Sequence, residues 1–598
     1  MIPIRQRLRA ARELFFTFAA PVPAVIAVLT VLVGLVPSAA NAQTRSGRMI
    51  EWRADQAPQA GVGWGVERFG AVREAGVRMQ AAGAAEGPAA RAKLTSADDK
   101  PPPAQLVFPV PFQAGHRYRV TVELSATSTT RADVMIRRAP APYDPMAIRA
   151  LTLGPTWQTV SFEGSWPNTS DKGAVRVVAK QAQSEILIRR TSVDDLGPLP
   201  LGTVPQAAFP STLIGIHVNK LGAHNTWPQA GQGLIRLWDT GTTWNNLAPT
   251  KEAFDNFSSP GWKRLDSYVD YVQRNQPSTV ILMTLGTPPR WASDTPDATG
   301  CAYGPGTCGG PASMDEWRHY IHTLATRYKG RIQHWELWNE ADYRFFYVST
   351  QSLAELARVA KEELKKVDPL NLLVSPGFTA SGGMFALQTF LQDGGGRYVD
   401  IIAYHWYYDE RPEKLAVSIQ NVREMMMANG AAGKPLWNTE GAPLCQRTSN
   451  GVCEMSGLSA DDQNSVAERA ILTMWVNGVS AYSYYTVEGA GGRTLPLLNA
   501  DLVTPSAAAE RMSEFSKKIS GAAAVKMSDF GEGGHVVTLE RGKKNFYVAW
   551  SESQEQPMKM PATWAISKYK PLGQLEANIP ESRELRVGLN PIFIYSQD

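Results

Sequence analysis

At 598 residues, with 43% hydrophobic and 19% charged residues and a formal net charge of +4, the chain has the composition of a folded globular protein of about three or four domains. The small net charge and the scatter of its cations exclude a nucleic-acid binder, which needs a basic stripe to follow a phosphate backbone. No Walker sequence, His-Glu-x-x-His or EF-hand loop occurs, so no cofactor is expected.

Arg5, Arg7, Arg9 and Arg12 precede an apolar run from Leu14 to Val36, which leads to Ala40, Asn41, Ala42 and Gln43. This is the pattern of a secretory signal peptide over residues 1–42, cleaved after Ala42. The run is also long enough to cross a bilayer, so an uncleaved anchor is the alternative, and membrane contact is expected only in that case. Either way the folded body belongs outside the cytoplasm, periplasmic or secreted. Export makes the four cysteines legible. They form two close pairs, Cys301 with Cys308 and Cys445 with Cys453, without metal-finger spacing, and local disulfides with no metal are expected.

Residues 43–200 are rich in alternating segments, 117–126, 132–139, 157–166, 174–180 and 185–193, with no helical period of comparable strength. A β-sandwich is predicted. The glycines from Gly61 to Gly65 open a strand and do not make a nucleotide loop. From Phe112 onward the pattern resembles galactose-binding-like jelly rolls, which include many carbohydrate-binding modules. Tyr143, Trp157 and Trp166 then have two readings, as sugar-stacking platforms or as core.

After a Gly-Pro-Leu-Pro-Leu-Gly linker (Gly197 to Gly202), eight predicted strands alternate with helices over residues 201–519: 213–219, 233–239, 278–286, 332–340, 371–378, 399–408, 434–441 and 479–489. The segment 352–367, with a serine before apolar residues at helical spacing, is the clearest of these helices. Eight such repeats predict a parallel (β/α)8 TIM barrel. A doubly wound sheet is the alternative, but no Gly-rich phosphate loop follows the first strand. Residues 520–598 return to strands, at 534–542, 545–551, 584–590 and 591–596, and predict a small C-terminal β domain. The fold class is therefore α/β, a barrel flanked by two β units.

Two barrel strands end alike. Trp338-Asn339-Glu340 closes the fourth and Trp437-Asn438-Thr439-Glu440 the seventh, so two carboxylates meet at the face where barrel strands converge. Paired carboxyls in a cleft suit glycosidic cleavage, one protonated to assist the leaving oxygen and one ionised to attack carbon or activate water.

Trp338-Asn339-Glu340 with Glu440 resembles the clan of retaining glycoside hydrolases that carry acid/base and nucleophile on those two strands, nearest to glycoside hydrolase family 39. The resemblance covers the barrel, about half the chain. It implies Glu340 as acid/base, Glu440 as nucleophile and Asn339 as partner of the substrate 2-hydroxyl. It also implies Arg236 beneath the nucleophile, Tyr407 bonded to it and His405 lining the subsite. Arg236, His405, Tyr407, Trp291 and Tyr485 join Asn339 as expected substrate-binding residues. Two departures stand out: the third strand runs into TLGTPPRWAS without the histidine some families place there, and the eighth offers Tyr484 or Tyr485 where many relatives have tryptophan. Trp238, Trp244, Trp291, Trp406 and Tyr485 are candidates for an aromatic rim. The function so implied is hydrolysis of a polysaccharide or oligosaccharide by double displacement. The alternative on the same fold is a non-catalytic glycan-binding or membrane-anchored polysaccharide-matrix protein.

Overall fold

A computed structural model describes residues 47–596 apart from 58–60, 69–71, 81–86, 97–103, 140–144, 168–171, 200, 201, 203–207, 222–229, 343–345, 347, 381, 449–452 and 456. The expected signal peptide and Tyr143 lie outside the described residues. Among the described residues no helix is long and apolar enough to cross a membrane.

Eight strands form the centre, numbered here β1 (Gly215–Ile216), β2 (Leu234–Leu237), β3 (Val280–Leu285), β4 (His334–Leu337), β5 (Leu372–Val374), β6 (Ile402–His405), β7 (Leu436–Gly441) and β8 (Val479–Tyr484). Their order is β5-β4-β3-β2-β1-β8-β7-β6, parallel throughout. Parallel bridges Val374 to Ile401 and Phe378 to Tyr404 join β5 to β6 and close the sheet into a barrel, which removes the doubly wound alternative.

The two-residue period decides what each strand contributes. Leu234, Leu282, Val374, Ala403, Trp437 and Ala481 point to the axis and form a separate buried cluster at the base of the barrel. Their neighbours Ile235, Met283, Trp335, Ile402, Leu436 and Tyr482 point outward into the main core beneath the helices. Two residues further along, the inward positions change character, to Arg236, Thr284, His405 and Ser483, with Glu336 following His334. Polar groups therefore fill the upper barrel.

Helix Thr350–Val367 is capped by Ser349, whose hydroxyl accepts from Ser352 N, so the cap stands three residues before the serine expected to supply it. Ser506 caps the last helix, Ala507–Ile519, as its sequence suggests. Both cysteine pairs are disulfides, Cys301–Cys308 and Cys445–Cys453, each with Cα atoms 5.3 Å apart.

The N-terminal unit is a sandwich of two antiparallel sheets, one of six strands and one of five. Four of its strands escaped the sequence pattern in the first half of the unit, Gly47–Arg53, Val72–Gln80, Ala89–Ser96 and Ala104–Val110, whereas Gly65–Arg68 is the strand that the glycines from Gly61 open. Alanines, charged residues and prolines dilute the alternation there. Trp166 is fully buried and stacks on Phe112 at 4.8 Å, which makes it core. Trp157 lies under the Arg189 guanidinium at 4.5 Å. The sandwich is tightly docked. Met135 and Ile148 belong to the barrel's own hydrophobic core, and on helix Leu415–Ala428 the Asn421 amide donates to Ser165 O at 3.1 Å and accepts from Ser165 N at 2.8 Å. Strand Gln158–Ser165, an edge of the six-stranded sheet, thus ends against a side chain that imitates a backbone partner.

The C-terminal unit has a six-stranded and a two-stranded sheet, with Ala523–Asp529, Gln556–Lys559, Lys568–Pro571 and Ala577–Asn578 added to the expected strands. Its seam with the barrel is ionic. Buried Glu413 accepts from Arg469 Nη1 at 2.8 Å and from Trp550 Nε1 at 3.0 Å. Nearby, the His535 ring nitrogens lie 2.8 Å from Asp529 Oδ1 and 2.8 Å from Glu552 Oε1. Burial opposes the His535 charge, yet hydrogen bonds to the two carboxylates outweigh it and raise the ring to about 9. A raised pKa adds stability that is complete below the ordinary 6.5 and is lost as pH rises through about 9. The unfolding midpoint in urea is expected to fall over that interval, and the His535→Gln variant to show a flatter slope. Equal slopes would contradict the assignment.

Candidate active site

Glu440 stands within β7, but Glu340 does not end β4 as expected. The strand stops at Leu337, and Trp338 and Glu340 take left-handed conformations, φ 63° and 45°. Such a backbone costs on the order of 1–3 kcal/mol per residue and persists only where its surroundings enforce it. They do so here. Glu340 N donates to Gly377 O at 2.9 Å, and the buried Trp338 indole packs over Gly286, where an added Cβ would come within 2.7 Å of the ring. Gly286 itself has φ 119°, open to glycine and strained for other residues. A Cβ on Gly377 would likewise lie 2.1 Å from His405 Nε2, so the loop after β5 is shaped to admit that imidazole.

The result is close apposition. One carboxylate oxygen of Glu340, one ring nitrogen of His405 and one carboxylate oxygen of Glu440 all lie within 4.8 Å of one another. His405 Nδ1 is 3.1 Å from Glu340 Oε1, and the Tyr407 hydroxyl donates to Glu440 Oε1 at 2.8 Å. These three atoms are near enough to hold a cation, but Glu440 already carries a fixed guanidinium.

That guanidinium belongs to Arg236. Expected beneath the nucleophile as well as among the substrate-binding residues, it is completely buried and lies under the carboxylates. Its Nη1 donates to Glu440 Oε2 at 2.8 Å, its Nη2 to Asn339 Oδ1 at 2.6 Å and its Nε to Glu336 Oε2 at 2.6 Å. Thr284 Oγ1 donates to the same Glu336 oxygen at 2.7 Å. One planar fork therefore positions three acceptors from two strands, Glu336 and Asn339 from β4 and its end and Glu440 from β7, which a lysine has no geometry to do. Arg236 Nη1 also lies 3.1 Å from His217 Nε2. Since arginine only donates, Nε2 accepts and the proton sits on Nδ1, which donates to Tyr484 O at 3.2 Å. Burial and then the Arg236 charge hold His217 well below 6.5, in agreement with a neutral ring.

Burial raises the Glu440 carboxyl above its ordinary 4.5, with Glu340 and Asp239 adding to the rise and His405 and Arg236 opposing it. His405 is lowered to about 4, chiefly by burial, so it is neutral at pH 7. Tyr407 is raised well above 10, first by burial and then by Glu440, and remains a donor. Asp342 accepts from Thr379 N at 3.0 Å and is pushed by burial to about 6, with Glu340 contributing.

Several expected rim aromatics are core. Trp238 is 1% exposed, Trp406 packs on Tyr404 at 4.9 Å, and Trp244 stacks on Tyr320 at 4.4 Å. Of the two tyrosines at the end of β8, Tyr484, its last residue, is buried and bonded to Leu495 O, whereas Tyr485, just past it, reaches Asp239 Oδ2 at 2.6 Å. Trp291 is 36% exposed on the loop after β3, its indole donating to Ala248 O at 3.0 Å, apart from the Arg236 network. Sequence reasoning missed Glu336, His217, Asp342 and Asp239. For Glu336 a signal existed: a glutamate in the middle of a buried strand needs a buried partner.

Residues 305–507, which include Glu340, His405, Tyr407 and Glu440, match the family model of the glycosyl hydrolase catalytic core. The chain is a glycosidase. A comparison with curated proteins returns no match. Among solved structures, a family 39 glycoside hydrolase from Bacteroides cellulosilyticus WH2 is 15% identical, covering 82% of this glycosidase and 96% of its own chain, with a TM-score of 0.49. A monomeric β-xylosidase from Caulobacter crescentus CB15 is 16% identical over 66% and 98% of the two chains, TM-score 0.47. The CBM22-1-GH10 modules of a Clostridium thermocellum endo-1,4-β-D-xylanase are 11% identical over 79% and 98%, TM-score 0.36.

Proposed function

We propose that the glycosidase is a retaining enzyme similar to family 39, which cleaves O-glycosidic bonds of a polysaccharide or oligosaccharide outside the cytoplasm. The carrying observation is the approach of Glu340 and Glu440 oxygens to within 4.8 Å. Inverting enzymes keep their carboxyls roughly 6.5–9.5 Å apart to admit a water, whereas retaining pairs stand about 5–5.5 Å apart. In this reading Glu440, ionised and held by Arg236 and Tyr407, attacks the anomeric carbon. Glu340 gives its proton to the leaving oxygen, then takes one from the water that releases the sugar. An acid this near to an ionised carboxylate is disfavoured from ionising itself, the direction that a proton donor needs. Neutral His405 sits against Glu340 without competing as a charge. Two disulfides support export.

The proposal includes the unit boundaries: signal peptide 1–42, sandwich 43–200, catalytic barrel 201–519 and β domain 520–598. Activity on a panel of aryl glycosides and polysaccharides tests the function. Mass spectrometry of the enzyme trapped with a 2-fluoro glycoside should place the label on the peptide holding Glu440. A label elsewhere would remove that residue from the nucleophile role.

A further inference from the structure

Residues 377–379, which follow β5, form a shelf on which the acid side of the cleft rests. Gly377 O accepts from Glu340 N at 2.9 Å, and Phe378 O accepts from His405 N at 2.7 Å. Thr379, buried beside them, gives both of its donors to Asp342: the backbone N–H to Oδ1 at 3.0 Å and the hydroxyl to Oδ2. Thr379 is itself anchored from behind, its carbonyl accepting from Gly383 N at 2.9 Å where helix Gly383–Gln392 begins. His405 Nδ1 lies 3.1 Å from Glu340 Oε1, so Glu340, Asp342, the shelf and His405 close into a ring of contacts.

We propose that Asp342 is a positioning residue for proton transfer: by gripping Thr379 with both carboxylate oxygens it fixes the turn that carries Glu340, and so sets how that acid meets the leaving oxygen. The inference rests on the proposed double displacement and adds a residue to it. Its physical basis is the backbone of the turn. Glu340 has φ 45°, a left-handed conformation that holds only where the neighbouring chain enforces it. Ahead of Glu340 the turn is tied at Asn339, by the parallel bridge to Gly377 and by the Arg236 Nη2 bond to Oδ1 at 2.6 Å. Behind it the turn is tied at Asp342, through two hydrogen bonds to an ionisable acceptor, the stronger kind. Ties on both sides fix a direction; a tie on one side lets the residue swing. Proton transfer is sensitive to such a swing, since about 1 Å of misplacement can cost about 10²-fold in rate. A carboxylate is also the group the grip requires, because it accepts at both oxygens, whereas an amide turns an N–H toward one of the two donors.

The test compares aryl glycosides with a poor and an activated leaving group, on wild type, Asp342→Asn, Thr379→Val and Thr379→Ser. In Asp342→Asn, kcat/KM should fall by about 10- to 10²-fold on the poor leaving group and by less than about threefold on the activated one, whose departure needs no acid. On the activated substrate kcat should fall, because the same carboxyl must then activate water, and azide should restore it. Thr379→Val deletes one donor and keeps the other, and should show the same selective loss at smaller size; it carries the decision alone if Asp342→Asn does not fold. Thr379→Ser keeps both donors and should match wild type. Equal losses on the two substrates, as a merely structural role would give, or no loss on either, would overturn the positioning role while leaving the glycosidase reading intact. Wild type inactive on every glycoside would overturn both.

Discussion

Glu440→Gln is expected to lose turnover by on the order of 10⁴- to 10⁶-fold on every substrate, the scale of removing a nucleophile from a preorganised group. The amide preserves the shape that Arg236 and Tyr407 enclose, so the loss reports chemistry and not collapse. Glu340→Ala should fail differently. Substrates with poor leaving groups need the acid and should slow by about 10²- to 10⁴-fold, whereas activated aryl glycosides should still glycosylate Glu440 and then stall. Azide should restore Glu340→Ala with a product of retained configuration, and Glu440→Ala with an inverted one. In wild type the acidic limb of kcat/KM should lie above 4.5, because burial raises the Glu440 carboxyl and activity is lost as pH falls through its pKa. Identical losses in the two variants on an activated substrate would contradict the division of roles.

The second large effect belongs to Arg236. Arg236→Met should destabilise the fold by about 3–5 kcal/mol, because it strands Glu336 and Glu440 without their cation. Glu336 is completely buried, and its second oxygen, Oε1, has no hydrogen-bond partner among the described residues. Adding Glu336→Leu to Arg236→Met should return part of the stability by removing the stranded charge, yet not the activity, since Glu440 and Asn339 stay unpositioned. Arg236→Lys should fold better than Arg236→Met and remain far below wild type in kcat, as one ammonium has no planar fork to match three acceptors. Urea unfolding with parallel kinetics separates these outcomes. A wild-type unfolding midpoint for Arg236→Met would show that the buried charges are not coupled.

The barrel was legible because its strands carry a strong local signal: continuous apolar runs at strand length, separated by helices with caps, as at Ser506. The glutamates were legible for the same reason, each following a tryptophan and asparagine at a predictable place in that repeat. What local pattern does not encode is direction. Trp244 and Trp406 read as rim or core equally well from their spacing, and only the packing against Tyr320 and Tyr404 decides for core. Glu336 carried one signal, a glutamate inside a buried strand, but its partner was not legible, and His217 was invisible as a site residue, because both depend on an arginine from another strand. Asp239 depends on two phenols, one from the loop after β3 and one following β8. The early sandwich strands were lost where alanine and charge dilute the two-residue period, as in Ala89–Ser96.

Stereochemistry offers the most direct measurement. Proton NMR of the first product formed by the wild-type enzyme, recorded before mutarotation, should show the anomeric configuration of the substrate, because two displacements through Glu440 each invert that carbon. A first-formed product of inverted configuration would contradict the double displacement and remove the nucleophile role from Glu440.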